Sequence, residues 1–255
     1  MSKVVLTIWL ALLSLAAWQP PQSDAWMTKN IEQWDRLDIE TVLNRSAWVK
    51  KQEVRIPFQG QVQAVAGAGT TAEDIDARRT ELGGAHIPVD FEFTLRLRSA
   101  LPIRMALVRQ SQLDANYDKL SKEERAALEP KLKGLLNCPA CNENYVVTIS
   151  SKSKNYPGAD AVFSSLQGAK LVDLKRYIFL STSSGKKREL THFMPPKAPG
   201  NEAVFFFARF NEQGEPLITT ADKEILFRLG DKDNNLATSF SVEVSKITVN
   251  GQVIF

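Results

Sequence analysis

The chain is poor in the residues that most enzymes need at their centres. In 255 residues it has two histidines, His86 and His192, and two cysteines, Cys138 and Cys141. Neither histidine has metal-ligand spacing to the other or to the cysteine pair, so a structural zinc site would lack two of its four ligands. A Ser-His-Asp triad would have to recruit His86 or His192. There is no G-x-S-x-G elbow, no H-E-x-x-H, no phosphate loop and no dinucleotide fingerprint. Asp231-Lys-Asp233-Asn-Asn235 spaces oxygen ligands like a calcium loop, but Leu236 stands where that loop needs glycine and Val242 where it needs glutamate. No catalytic residue, metal or cofactor emerges, which argues against an enzyme.

Concentrated charge is missing too. The 32 basic and 29 acidic residues leave a net charge of +3, and no basic block exceeds Lys186-Lys187-Arg188. A nucleic-acid binder needs a basic stripe to displace counterions, so no nucleic-acid partner is expected. A membrane-spanning run is absent as well. Val4–Trp18 is uncharged, but its fifteen residues fall short of the ~20 that a spanning helix needs. With Lys3 before it and Gln19-Pro20-Pro21 after it, the run reads as a secretory signal peptide over residues 1–25. An uncleaved segment there is the one expected contact with a membrane. The expected location is therefore periplasmic or extracellular, and in an oxidising compartment Cys138 and Cys141 are expected to pair.

What is present is a tryptophan block. Trp26, Trp34 and Trp48 surround Asp35–Asn44, where Leu37, Thr41 and Val42 recur at helical spacing and acids fall in the first turn. This predicts a short amphipathic helix clamped to the domain by Trp34 and Trp48. The competing reading makes those two rings an aromatic platform for a protein or glycan partner. The pattern Trp34…Val42-Leu43-Asn44-x-Ser46-x-Trp48 behind a signal peptide resembles a family of exported bacterial proteins of acidobacterial type. That resemblance implies location and no particular activity.

Period-two alternation predicts strands. Val54, Ile56 and Phe58 alternate with polar residues, and Pro57 marks that strand as an edge. Val89–Leu97 alternates cleanly. Tyr145–Ile149, Tyr177–Ser181, Arg188–Phe193 and Phe240–Val244 follow, and Val204–Phe207 reads as a strand buried on both faces. Asn250-Gly251 is a hairpin turn. Residues 66–86, rich in Gly, Ala and Thr, read as a mobile loop.

Between two strands lies an inserted helical hairpin. Pro102 opens its first helix. Ser121–Glu124 is a capping box opening the second, and Pro130 should kink or split that helix. The class is therefore α+β: a β-sandwich-like antiparallel core with an inserted helical hairpin and a short N-terminal helix, in a single domain over 26–255.

Cys138-Pro-Ala-Cys141 follows a helix and precedes a strand. A redox C-x-x-C needs its first thiol at a helix N-terminus, where the dipole favours a thiolate. The expected role is a structural disulfide. The functional reading is an exported, non-catalytic binding or structural protein. The alternative is an extracytoplasmic thiol–disulfide redox protein using Cys138 and Cys141.

Overall fold

The computed structural model describes residues 26–58, 87–230 and 236–255. The expected signal peptide, the 66–86 loop, His86 and the Asp231–Asn235 turn lie outside the described residues. The chain is α+β. Eight strands form one antiparallel sheet: β1 (Val49–Phe58), β2 (Ile87–Leu97), β3 (Asn144–Ser153), β4 (Phe179–Thr182), β5 (Lys187–Met194), β6 (Ala203–Ala208), β7 (Glu224–Leu229) and β8 (Thr238–Glu243). Their order is β1-β2-β3-β6-β5-β4-β7-β8. The β4-β5-β6 meander thus has β3 beside its last strand and β7 beside its first, which makes two overlapping Greek keys.

The expected sandwich is corrected to a nearly closed, barrel-like sheet. Every strand pairs with the next in an unbroken order, and β1 and β8 come into contact at the seam without a ladder joining them. The sheet turns its corner at β5, where the register with β6 shifts between Leu190 and His192. A bulge increases local twist and bends the strand. It also explains why Leu190 and Phe193, three residues apart, are both buried.

The inward faces follow the period-two expectation. Val89, Phe91, Phe93, Leu95 and Leu97 are each at most 1% exposed. Register sets Leu95 opposite Ile149 and Leu97 opposite Val147, then Val147 opposite Phe205 and Tyr145 opposite Phe207. Phe205, Phe207, Phe227 and Phe240 fill the far side, with ring centroids 5.6 to 6.3 Å from Phe227. β6 alternates buried and half-buried positions, so it is covered on one face and not on both as expected. Pro57 sits opposite Pro88 on β1, the first strand of the order, as an edge position requires.

Six helices accompany the sheet among the described residues: α1 (Arg36–Arg45), α2 (Leu101–Asp114), α3 (Lys122–Asn137), α4 (Ala140–Glu143), α5 (Ala161–Leu166) and α6 (Leu171–Leu174). Asp35 caps α1 by accepting from Leu37 N and Asp38 N, and Asp38 answers as the partner of a capping box. Ile39, Val42 and Leu43 bury, whereas Leu37 is 63% exposed. Ser121 and Glu124 form the expected capping box of α3. Pro130 does not split α3, which runs through it. Only one helix of the inserted hairpin could pack on the sheet. α3 rests on α2, and of its residues only Leu132 is buried. Asn250 (φ 49°) and Gly251 (φ 76°) turn the predicted hairpin between β9 (Thr248–Val249) and β10 (Gln252–Val253), both in the left-handed region that a type I′ turn uses.

Candidate functional site

The cysteine pair comes first because it is the sharpest motif. α3 ends at Asn137, and Cys138 follows in the left-handed region with its N–H donating to Gly134 O at 3.1 Å. Cys138 and Cys141 stand at disulfide distance, with Cα atoms 5.3 Å apart. Cys141 is buried. Arg104 donates to Ser99 O and to Leu136 O in the last turn of α3, so a cation already answers the carboxyl end of the helix dipole. Burial pushes the Arg104 pKa down. Cys138 therefore sits at the negative end of α3, where a thiolate is disfavoured. The pair joins the exit of α3 to α4, the single helical turn that holds Cys141 and leads into β3.

Trp34 and Trp48 lie in the core at 2% and 1% exposure. Trp26 packs edge-on against both, with centroids 5.5 and 6.0 Å away. Trp34 Nε1 donates to Trp26 O at 3.1 Å and Trp48 Nε1 to Ile254 O at 2.6 Å. Arg109, from α2, donates to Trp34 O. The geometry is that of clamps, and neither ring presents a face to solvent.

Two buried aspartates went unnoticed in the sequence. Asp160 caps α5 through Phe163 N and accepts from Ser151 Oγ at 2.6 Å and from Gly200 N at 2.7 Å. Asp222 accepts from Ser184 Oγ at 2.7 Å and from both Thr219 N and Thr219 Oγ1 at 2.9 Å. Burial works against ionising Asp222, but the hydrogen bonds from Ser184 and Thr219 outweigh it and hold its pKa down at about 2. An aspartate before Ala161 was a readable N-cap signal. The ties to Gly200 and Ser184 are long-range and had no local signature.

Each aspartate has a serine beside it, but a hydrolytic triad also needs a histidine. His192 is exposed on β5 and packs on Phe206, centroids 5.1 Å apart. It is not brought to either aspartate.

The barrel end beside the disulfide is closed by Tyr145. Its hydroxyl accepts from Ile218 N, its ring meets Phe255 edge-on, and Arg209 stacks over it at 4.8 Å. Burial pushes the Tyr145 phenol up and the Arg209 guanidinium down. Arg209 donates to Asn144 O and Phe255 O. These groups hold the end shut and leave no reacting pair in contact.

The outward face of β4, β5 and β7 differs. Register and alternation place Phe179, Lys187, Glu189, Leu226 and Arg228 there. Lys187 Nζ lies 4.0 Å above the Phe179 ring. Lys175 and Arg176 flank one end of β4, while Lys186 and Lys223 flank the other. All six cations are exposed. None forms an ion pair with another described residue.

The chain matches no protein-family model, no curated protein and no solved structure. Among the described residues no three His, Cys, Asp or Glu side chains are arranged to hold a metal ion, and no helix is long and apolar enough to cross a membrane. The outward face of β4, β5 and β7 gathers six exposed cations that form no ion pair among the described residues.

Proposed function

We propose that the chain is an exported, non-catalytic binding protein of the cell envelope or extracellular space. The observation that carries the binding role is the outward face of β4, β5 and β7, where Lys187, Arg228 and their neighbours point to solvent without carboxylate partners. The side-chain-filled interior supports it, because contacts then fall to the surface. The export half rests on the apolar run at Val4–Trp18 and on a disulfide that an oxidising compartment preserves.

Fractionation of cells expressing the full chain tests export, with mass measurement and thiol alkylation of the recovered protein. A chain outside the cytoplasm that resists alkylation at Cys138 and Cys141 supports the reading. Full-length cytoplasmic protein with two free thiols overturns it. The thiol–disulfide alternative predicts that the pair titrates near the poise of a glutathione series. A pair that stays oxidised until strongly reducing potentials is structural.

A further inference from the structure

We infer that the outward face of β4, β5 and β7 docks the protein onto an anionic phospholipid surface. This deepens the binding role proposed above and rests on it. Lys175, Arg176, Lys186, Lys187, Lys223 and Arg228 share the region with Glu189, Glu224 and Asp173. Six cations against three acids leave the region a positive surplus. None of the six forms an ion pair with a described residue, and Lys187 lies instead over the Phe179 ring. Lys122 and Lys131 of α3 are likewise exposed and unpaired; what sets the six apart is that they surround one short stretch of sheet.

Apolar side chains interrupt the cations. Leu226 is 37% exposed in the middle of the face, and Val172 of α6, three residues before Lys175, is 71% exposed. Long basic side chains around protruding aliphatic groups suit an interface where stems enter the headgroup layer and charged heads stay at phosphate level. A glycan or single-stranded nucleic acid would want a free aromatic face for stacking. The Phe179 ring already carries the Lys187 ammonium. Among the described residues no helix of eight or more residues packs extensively on β4, β5, β7 or β8, although the four-residue α6 lies against β5, and the outward serines Ser181, Ser239 and Ser241 add no bulk that would hold a membrane away.

The test is co-sedimentation of the full chain with vesicles of phosphatidylglycerol and phosphatidylcholine, against phosphatidylcholine alone. The difference between the two is read, so that binding through the apolar N-terminal run cancels. The expected result is selective binding to anionic vesicles that disappears at 1 M salt, where the Debye length falls to about 3 Å. K187E/R228E should weaken it by at least roughly fivefold for each cation removed. K122E/K131E, a charge-matched pair on exposed α3, should leave it intact. Thermal unfolding of both variants confirms folding. Equal binding to both vesicle types, or equal loss in the two variants, overturns lipid docking. If the chain ignores vesicles but binds soluble polyphosphate, and K187E/R228E abolishes that, lipid docking falls while the binding role stands. Binding to neither overturns both.

Discussion

Trp48 donates its indole N–H to the carbonyl of Ile254 at 2.6 Å, across 206 residues of chain. The contact ties the start of β1 to the residues behind the last hairpin, so the first strand and the C-terminal hairpin come together at one end of the barrel. Trp48→Phe keeps most of the apolar volume but strands the Ile254 carbonyl. A buried acceptor left unpaired costs about 1–3 kcal/mol. The urea midpoint should fall accordingly with the slope unchanged. An unchanged midpoint would mean that this end is already open to water.

Asp222 sets an acid limit on stability. Its folded-state pKa of about 2 lies below the ordinary 3.8, so its contribution is present above pH 3.8 and is lost as pH falls through 2. The difference corresponds to about 2 kcal/mol. Asp222→Asn should lower stability at neutral pH and flatten the acid slope between those two values, relative to the parent chain. Denaturant unfolding at a series of acid pH values reads both effects. A parallel, undiminished slope in the variant would assign the acid sensitivity to other carboxylates.

Faces and turns were readable because their causes are local. Alternation in Val89–Leu97 set the inward residues of β2, Ser121 and Glu124 cap a helix within one turn, and Asn250-Gly251 makes a hairpin by itself. Alternation says which residues share a side, but not which strand lies beside it. The pairing of Phe179 with Arg228 spans forty-nine positions, so neither the barrel-like closure nor the cationic face could be assembled from local pattern. The run Lys186-Lys187-Arg188 is the largest basic block in the sequence, but its three side chains do not form one patch. Instead the strand sends Lys187 outward beside Phe179 and sets Arg188 opposite inward-facing Leu180.

The disulfide should be a modest staple. It joins residues three apart, and the chain-entropy account gives about 2 kcal/mol for so short a loop. Reduction, or C138S/C141S, should lower stability by no more than that and leave the barrel folded. Cys138 occupies a left-handed position, φ 40°, where glycine is the least strained residue. C138G/C141S should therefore recover part of the loss seen in C138S/C141S. Equal stabilities of the two variants would show that this turn relaxes once the sulfurs part.

Pro130 offers the opposite experiment. It lies inside α3, where it removes one backbone donor and crowds the carbonyl four residues earlier, yet the helix continues to Asn137. The helix tolerates it because α3 is held at both ends. Its N-terminus carries the Ser121–Glu124 box, and Arg125 donates to Asp118 O and Leu120 O. At its C-terminus Arg104 answers Leu136 O and the disulfide fixes the exit. The residue is exposed, so Pro130→Ala removes a backbone penalty without opening a cavity, and the chain should gain about 1–3 kcal/mol. Hydrogen exchange should slow at the amides of α3 while those of β2 stay unchanged. A neutral or destabilising result would mean that the proline sets a bend on which the packing of Leu132 against α2 depends.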